Sequence, residues 1–480
     1  MSLPFSYIIG LEIHVELTTA TKMFCRCAND PFFASPNTNI CPICLGLPGT
    51  LPVPNKEAVR KTIIVGKALG STIAKLSKWD RKHYFYPDSP KGYQISQYDM
   101  PLCDGGLLAL IDLKGREESV IRFERVHLEE DAGKLQHTGK TGYSRVDLNR
   151  VGVPLMEMVT KPDLTSPEQA RKFMQELRLL VRALGVSEGD MEKGQMRADV
   201  NVNIAFEYEG KLIKTPITEV KNVNSTRAVE RSLVVEAQRQ YDEWMAHGPI
   251  RDRTNKLTAG WDEDSNIVRI NRAKEAANDY RYFSEPDIPP IAVYEIAELN
   301  PDGMVIPELP NQRRLRYLEL GLTGVDCEQI INSDELTLSI ERLLASGLEP
   351  KEVAKWLINV PGTSDISATN LREIWEVVRR GEISFSSLKP LVSLLASHLL
   401  EEKPLSSFLK DNDLLQSHDS SVVQFAIDEV LTENPALVTE YKDGNQRVLG
   451  FIVGQVMKKA AGKAQPRKVQ EAVKEVLDKS

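Results

Sequence analysis

Apolar side chains occupy every second position of IGLEIHVEL, residues 9–17. Because successive side chains of a β-strand point to opposite faces, the apolar residues share one face, and Glu12, His14 and Glu16 share the other. A strand with one apolar and one polar face is typical of an antiparallel sheet that packs on a core with one side. The stretch therefore predicts a half-buried antiparallel strand.

A second stretch with the same alternation is RADVNVNIA, residues 197–205. Its polar face carries Arg197, Asp199 and Asn201, and its apolar face carries alanine, valine and isoleucine. Two such strands predict a sheet with a polar face rich in charged groups.

Two helices are predicted beside these strands. The first begins with Ser166 as its N-cap, Pro167 in its first turn and Gln169 at the capping-box position, and it ends before Gly185. The second covers about residues 226–247, where apolar residues recur at helical spacing.

The chain is long enough for about three domains, since it has 480 residues. Prolines become frequent over residues 286–310 and strand signals then fade, while residues 334–346 and 371–380 have helical periodicity. We therefore predict an α+β protein: an antiparallel-sheet domain at residues 1–294, a helical domain at 295–404 and a small helical tail at 405–480.

Charge is distributed unevenly along the chain. The total is −8, with 60 basic and 68 acidic residues, which argues against a protein covered in nucleic-acid-binding charge. Residues 441–480, however, hold nine basic and four acidic residues. The net charge of −8 is therefore compatible with one basic, phosphate-binding region at the end of the chain.

Membrane insertion and secretion are not indicated by the sequence. No stretch approaches the roughly 20 apolar residues of a membrane span, and residues 1–10 have no basic region followed by a cleavage site. We expect a cytoplasmic protein with no membrane partner.

Four of the six cysteines form two close pairs, Cys25 and Cys27, then Cys41 and Cys44. Two pairs on two turns can bring four thiolates around one tetrahedral ion, which is the geometry of structural zinc. The alternative is four free thiols, and we favour a closed structural zinc site.

Carboxylates and histidine recur on the predicted polar strand faces. Glu12, His14 and Asp199 lie there, and Glu129 and Glu130 follow a further strand-like run. Oxygen ligands in such numbers suit Mg²⁺, whereas solvated strand faces explain the same residues without a ligand. Alternation slips before residue 127, which leaves open whether Glu129 or Glu130 points inward.

The segment DRKHYFYPDSPKGYQISQYD, residues 80–99, mixes five aromatic residues with Arg81, Lys82 and Lys91. Such a mixture suits a nucleotide or the end of a single-stranded RNA, and it equally suits a loop packed on the sheet. Residues 221–225, KNVNS, precede the second helix and would either favour a phosphate or simply cap that helix. There is no Walker A motif and no G-x-G-x-x-G after a strand.

Characteristic segments extend over nearly the whole chain: GLEIHVEL (10–17), DRKHYFYPDSPKGYQISQYD (80–99), HLEEDAGK (127–134), DLNRVGVPLMEMV (147–159), EVKNVNS (219–225), DYRYFSEPD (279–287) and GFIVGQVMKK (450–459). Taken together, these segments identify the chain as similar to one family, the B subunits (GatB) of the bacterial tRNA-dependent amidotransferases.

The resemblance implies a cradle domain, a helical domain and a tail like that of the YqeY family. It implies ATP-dependent amidation of Glu-tRNA(Gln), Asp-tRNA(Asn) or both, with phosphorylation of the side-chain carboxylate before ammonia displaces the phosphate. The implied partners are the amidase (A) subunit, which hydrolyses glutamine, the small C subunit, and misacylated tRNA. ATP and Mg²⁺ are the implied cofactors.

The resemblance also assigns roles to individual residues. Metal-site positions match Glu12, His14, Glu130 and Asp199, with Glu129 as a possible further ligand. Lys82 and Lys91 match polar positions near the route of ammonia. Four further residues lie in segments that resemble those of the family's nucleotide pocket: Arg197, Lys221, Asn222 and Asn224. The family pattern Arg-Cys-Asp-x-Asn-x-Ser-x-Arg loses its serine and second arginine here, which affects nucleotide contacts and leaves Asp199 in place.

A rival interpretation from another class is a non-catalytic, zinc-stabilised module that binds tRNA or assembles the complex. In that case the carboxylates of the polar face would be solvated surface. Hydrolysis of ATP that depends on misacylated tRNA separates the two interpretations.

Overall fold

The computed structural model describes residues 4–137, 142–248, 256–273, 280–345, 347–360, 362–363, 366–383, 385–397, 405–411, 420–442, 445, 447–459 and 466–479. The chain divides into two compact units, Met1–Arg313 and Arg314–Ser480. The predicted boundary after residue 294 falls within the first unit, and the boundary after residue 404 borders residues outside the described ranges. The three-domain division stays a prediction.

Strands dominate the first unit. In chain order they are β1 (Ser6–Glu16), β2 (Thr72–Ile73), β3 (Leu76–Ser77), β4 (Asp80–His83), β5 (Tyr93–Ser96), β6 (Cys103–Asp104), β7 (Leu107–Ile111), β8 (Glu117–Glu130), β9 (Lys134–His137), β10 (Ser144–Asp147), β11 (Pro154–Thr160), β12 (Met196–Tyr208), β13 (Lys211–Lys214), β14 (Thr218–Val223), β15 (Leu257–Asp262), β16 (Ile267–Ala273), β17 (Phe283–Ser284) and β18 (Ile291–Ala292). The helices among them are α1 (Lys56–Ala68), α2 (Pro167–Ala183) and α3 (Thr226–His247), followed by two short 3₁₀ turns at Val293–Glu295 and Pro301–Gly303.

One large sheet organises this unit, in the order β16-β15-β14-β12-β1-β11-β8-β6-β2, with β13 paired to β12 and β7 paired to β8. Its described pairs are antiparallel except β14 with β15, which are parallel. Parallel neighbours need a crossover connection, and α3 lies in the chain between these two strands. The predicted antiparallel sheet is thus confirmed, with one parallel pair added.

The apolar face of the sheet forms the core. Ile13, Val15, Val200 and Val202 are fully buried in one cluster with apolar residues of α2 and α3. Each buried aliphatic side chain of this kind contributes about 1.5–3 kcal/mol relative to an exposed one. The two alternating stretches of sequence therefore form β1 and β12, as predicted.

The two predicted helices of this unit are also confirmed. The Ser166 side chain accepts the amide of Gln169 at 3.1 Å, which caps α2. The Gln169 side chain accepts the amide of Thr165 at 2.7 Å, one residue before the expected partner of a capping box. Ser225 caps α3 by accepting the amide of Ala228 at 3.0 Å.

The register of the paired strands determines which polar side chains lie next to each other. Glu12 lies opposite Asp199 of β12, and His14 lies opposite Glu157 of β11. Glu157 in turn lies opposite His127 of β8. Residues that face each other on neighbouring strands project from the same side of the sheet, so these groups share its polar face.

The regular secondary structure in the described part of the second unit is helical. Its helices are α4 (Pro310–Glu319, which begins in the first unit), α5 (Gly324–Ile331), α6 (Asp334–Leu344), α7 (Pro350–Asn359), α8 (Ala368–Arg379), α9 (Phe385–Ser397), α10 (Leu405–Asp411), α11 (Ser420–Glu433), α12 (Pro435–Lys442), α13 (Arg447–Lys459) and α14 (Pro466–Lys479). Buried residues of α11, α13 and α14 form a separate apolar cluster that includes Ile427, Ile452 and Val473. Among the described residues, no helix is long and apolar enough to cross a membrane.

Candidate functional site

A cavity of about 350 Å³ opens on the polar face of the large sheet. Its walls come from β1, β8, β11, β12 and β14, and from the loop between β4 and β5. Side chains singled out in the sequence that line it are His14, Lys82, Lys91, Glu129, Glu130, Arg197, Asp199, Lys221 and Asn224. Glu12 lies next to Asp199, and the side chain of Asn222 lies outside the described part of the chain.

His14, Glu129 and Glu157 form a first cluster of potential metal ligands. The Nε2 atom of His14 lies 3.5 Å from Oε2 of Glu157 and 3.8 Å from Oε1 of Glu129. Burial lowers the pKa of His14, but the hydrogen bond and charge of Glu157 and the charge of Glu129 outweigh burial and raise this pKa overall. The same negative field attracts a divalent cation.

Glu12, Asp199 and Glu219 form a second cluster, made only of carboxylates. Two lysines already neutralise it: Lys221 contacts Asp199 and lies 2.6 Å from Glu219, and Lys256 lies 3.3 Å from Glu219. Burial opposes the charge of Lys221, yet Asp199 and Glu219 raise the pKa of this ammonium group. A cation bound here has to compete with these two ammonium groups.

Glu129 and Glu130 both border the cavity but have different partners. Glu129 faces His14, and its Oε2 lies 4.0 Å from Nζ of Lys82. Glu130 contacts Nζ of Lys91 and accepts a hydrogen bond of 3.0 Å from the backbone amide of Ile95. Glu129 therefore belongs to the first cluster of potential ligands, whereas Glu130 is engaged by a lysine.

Cationic side chains line much of the cavity wall. Burial lowers the pKa of Lys82, but the charges of Glu129 and Glu157 raise it overall, so this lysine stays protonated. Arg197 donates to Oδ2 of Asp131 at 2.7 Å. The wall thus presents positive charge beside the two carboxylate clusters.

The aromatic segment borders the cavity and is partly solvent-exposed. Tyr84 lines the cavity, while Phe85 next to it is 81% exposed. Tyr98 stacks on Tyr282 with ring centroids 4.4 Å apart. The segment therefore combines rings that pack on one another with solvent-exposed ring surface.

The four paired cysteines meet at one point, as the sequence predicts. The sulfur of Cys44 lies 3.6 Å from that of Cys25, 3.7 Å from that of Cys41 and 3.9 Å from that of Cys27. Four ligands at about 2.3 Å from a tetrahedral ion lie about 3.8 Å apart, so the thiols fit zinc.

A buried lysine accompanies these thiols. Nζ of Lys22 lies 3.7 Å from Sγ of Cys44 and donates to the carbonyl of Asn39 at 2.9 Å. A hydrogen bond from Cys25, together with the charge of Lys22, lowers the pKa of Cys44 to about 4. Lys22 therefore favours the thiolate form of Cys44, which is the form that binds a metal.

Sequence reasoning missed Glu157, Glu219, Lys256 and Lys22. Glu157 interrupts an otherwise apolar strand, PLMEMVT at β11, and this break in the pattern is a signal that could have identified it. The other residues reach their sites through contacts with distant strands or loops, which local pattern does not reveal.

The donor sets fit the two metals that the sequence suggests. Four thiols suit zinc, and carboxylates joined by one imidazole suit a hard divalent cation such as Mg²⁺. The first cluster suits the cation better, because its nearest lysine, Lys82, lies 4.0 Å from Glu129, whereas Lys221 and Lys256 lie closer to the carboxylates of the second cluster.

Comparison of the sequence with known proteins shows its family. The sequence matches the GatB/GatE catalytic domain family over residues 7–297 and the GatB domain family over residues 338–477. It is 41% identical to the B subunit of an aspartyl/glutamyl-tRNA(Asn/Gln) amidotransferase from Thermodesulfovibrio yellowstonii, with 98% of this chain and 99% of that protein covered. The corresponding proteins of Thermomicrobium roseum (covering 98% and 99%) and Thermotoga maritima (covering 98% and 98%) are 42% and 39% identical. The chain therefore belongs to the family of aspartyl/glutamyl-tRNA(Asn/Gln) amidotransferase B subunits.

Proposed function

We propose that this chain carries out the ATP-dependent amidation of misacylated Glu-tRNA(Gln), Asp-tRNA(Asn) or both, giving Gln-tRNA(Gln) and Asn-tRNA(Asn). The observation that carries the proposal is the cavity on the polar face, where two carboxylate clusters lie beside Lys82, Lys91 and Arg197. A site with both positively and negatively charged side chains can bind a nucleotide, a cation and a carboxylate substrate together.

The chemistry explains why such a site is needed. A carboxylate is a poor acyl donor because oxide would have to leave. In the proposed first step, an oxygen of the substrate carboxylate attacks the γ-phosphorus of ATP, the bond from this phosphorus to the bridging oxygen breaks, and ADP leaves. In the second step ammonia attacks the carbonyl carbon, and phosphate leaves with the oxygen that the carboxylate contributed.

The residues of the cavity supply charge neutralisation and position. Phosphoryl transfer between two anions depends mainly on positioning and electrostatic stabilisation. Lys82, Lys91, Arg197 and Lys221 offer cationic groups to the phosphates and to the substrate carboxylate. Tyr84, which lines the cavity and is 37% exposed, offers a ring for a base to stack on.

Mg²⁺, when bound, would neutralise phosphate charge and hold the nucleotide. His14, Glu129 and Glu157 are the residues best placed to hold it, with Glu12 and Asp199 as a second set. Glu130 and Lys91 form an ion pair at the cavity wall and complete the group of charged residues that the sequence suggests. Asn222 and Asn224 belong to the segment that we assign to nucleotide contact.

Partners supply what this site lacks. We propose that an amidase (A) subunit releases ammonia from glutamine, and that it forms a cytoplasmic heterotrimer with a small C subunit and this chain. Basic residues of the tail are proposed to contact tRNA phosphates. Zinc on the four cysteines is proposed to have a structural role, with no open position for catalysis.

The test is ATP hydrolysis by the assembled complex, measured with and without misacylated tRNA. We expect hydrolysis that depends on the misacylated tRNA. His14→Ala or Asp199→Ala should abolish it while glutamine hydrolysis by the partner continues. Absence of tRNA-dependent hydrolysis in the unaltered complex would instead favour the non-catalytic module.

A further inference from the structure

The backbone of Gly46 lies directly against the stem of Lys91. A Cβ atom added to Gly46 would lie 2.4 Å from Cγ of Lys91 and 3.2 Å from its Cα and Cβ. The φ angle of Gly46 is +65°, a conformation that glycine adopts without steric cost. Glycine at this position thus allows a close approach that a larger residue would prevent.

Two of the four clustered cysteines set the position of Gly46. It ends a tight turn in which Leu45 donates to the carbonyl of Cys41 at 3.1 Å and Gly46 donates to that of Ile43 at 3.1 Å. Cys41 and Cys44 lie within this turn and contribute sulfurs to the cluster. An ion held by the four thiols would therefore fix the turn that touches Lys91.

The other end of Lys91 belongs to the cavity. Its ammonium group contacts Glu130, and its side chain is only 8% exposed. Lys91 consequently contacts Glu130 at its tip and Gly46 along its stem.

A second set of contacts joins the same cysteine segment to the cavity wall. The side chain of Asn149 donates a hydrogen bond of 2.8 Å to the backbone carbonyl of Ser35. It also accepts a hydrogen bond of 2.9 Å from the backbone amide of Asn39. The next residues, Arg150 and Val151, line the cavity. Lys22 links the two sets, because it reaches both the carbonyl of Asn39 and the sulfur of Cys44.

We propose that residues 22–47, here called the cysteine loop, act as a brace that holds Lys91 at the cavity wall when metal occupies the four thiols, with Gly46 as the positioning residue. This inference rests on the proposed function, since that function gives Lys91 its role. In this proposal the metal affects the cavity by holding the turn that contacts Lys91, and it takes no part in the reaction.

The test compares Gly46→Ala with Gly49→Ala in the full-length chain. Gly49 has a φ angle of +83° and nothing within 4 Å of an added Cβ, so it matches the backbone strain of Gly46 without the contact to Lys91. We expect both variants to keep the zinc content of the unaltered chain. Gly46→Ala should have the lower Tm and, in the assembled complex, about tenfold to a hundredfold slower tRNA-dependent ATP hydrolysis than Gly49→Ala.

A double-mutant cycle with Lys91→Ala isolates the contact. Lys91→Ala removes Cγ, the atom at 2.4 Å, and keeps Cα and Cβ at 3.2 Å, so Gly46→Ala should lower Tm less in that background than in the unaltered chain. Equal Tm and turnover for the two single variants, or an undiminished Gly46→Ala penalty in the Lys91→Ala background, overturns the inference. Full turnover by the zinc-free complex also overturns it.

Failure of the proposed function gives a different result. In that case the unaltered complex hydrolyses no ATP in response to misacylated tRNA, while the Tm cycle still reports whether Gly46 and Lys91 are coupled.

Discussion

The Nε2 atom of His14 lies 3.5 Å from Oε2 of Glu157, because the two residues face each other on neighbouring antiparallel strands. The same oxygen lies 3.4 Å from Nε2 of His127, on the strand beyond. Burial raises the pKa of Glu157, but the charges and hydrogen bonds of the two histidines outweigh burial and hold this pKa well below its ordinary value. A buried carboxylate thus stays ionised at the centre of the polar face.

Glu157→Gln should weaken the binding of Mg²⁺ to the cluster of His14, Glu129 and Glu157. The substitution keeps the shape of the side chain and removes its charge, so we expect about a tenfold to hundredfold higher Mg²⁺ concentration at half-maximal tRNA-dependent ATP hydrolysis. Glu124→Gln is the matched control, since Glu124 lies on the neighbouring strand β8 and is 57% exposed. An unchanged Mg²⁺ dependence for Glu157→Gln would remove this residue from the cation site.

Cys44→Ser should abolish zinc binding, because Cys44 lies within 3.9 Å of each of the other three sulfurs. We expect about one zinc ion per unaltered chain by metal analysis, and little in the variant, with a lower Tm. Cys103→Ala is the control, since Cys103 is buried elsewhere and should leave zinc in place. Zinc retained by Cys44→Ser, or absent from the unaltered chain even after reconstitution, would contradict the site.

Asp131→Asn should destabilise the fold in a pH-dependent way. Burial raises the pKa of Asp131, but the charges of Arg197 and Arg150 lower it below the ordinary 3.8. A carboxylate with a depressed pKa stabilises the fold above its ordinary pKa, and this contribution is lost as the pH falls. We expect a loss of about 2 kcal/mol in the free energy of unfolding at pH 7, narrowing in acid, because the half-buried Arg197 and Arg150 lose their charged partner.

Urea unfolding of Asp131→Asn and the unaltered chain at several pH values measures this difference. Asp163→Asn serves as the comparison, because its partner Arg122 is 62% exposed and the loss should be smaller. The difference in the free energy of unfolding between Asp131→Asn and the unaltered chain should shrink as the pH falls. If it grows instead, the assigned ion pair is wrong.

Exposed lysines of the tail should govern the salt dependence of tRNA binding. Lys458, Lys468 and Lys474 are exposed, whereas Lys459 lies 3.1 Å from Glu429 and 2.6 Å from Glu433. We expect each exposed lysine changed to alanine to reduce the slope of log affinity against log salt by about 1, and Lys459→Ala to reduce it less.

Deletion of residues 405–480 extends this test to the whole predicted tail. Lys463 lies outside the described residues, as do the side chains of Arg447, Arg467 and Lys479, so deletion also covers these basic groups. Unchanged affinity of the truncated complex for tRNA would show that the tail does not bind it.

Local pattern sufficed where one strand or helix determines its own structure. The alternation of β1 and β12 predicted their two faces, and the caps at Ser166 and Ser225 marked the starts of α2 and α3. The sequence thus placed Glu12 and His14 on one polar face and Asp199 on another, and the pairing that brings Asp199 opposite Glu12 is seen in the structure.

Contacts between distant segments could not be predicted in this way. The pairing of β8 with β11 shifts between Val159 and Thr160, so Phe123 and Arg125 face consecutive residues and Glu124 is skipped. This bulge explains why alternation slips there and why the sequence left Glu129 and Glu130 unresolved. Lys256 reaches Glu219 only through the parallel pairing of β14 with β15 across α3.

The most direct test of the central claim follows one oxygen atom. Glu-tRNA(Gln) carrying ¹⁸O in the side-chain carboxylate is converted by the assembled complex with ATP and glutamine, and the inorganic phosphate is analysed by mass spectrometry. Activation of the carboxylate by phosphorylation predicts one ¹⁸O atom transferred to phosphate for each amide formed. Amide formation accompanied by unlabelled phosphate would contradict it.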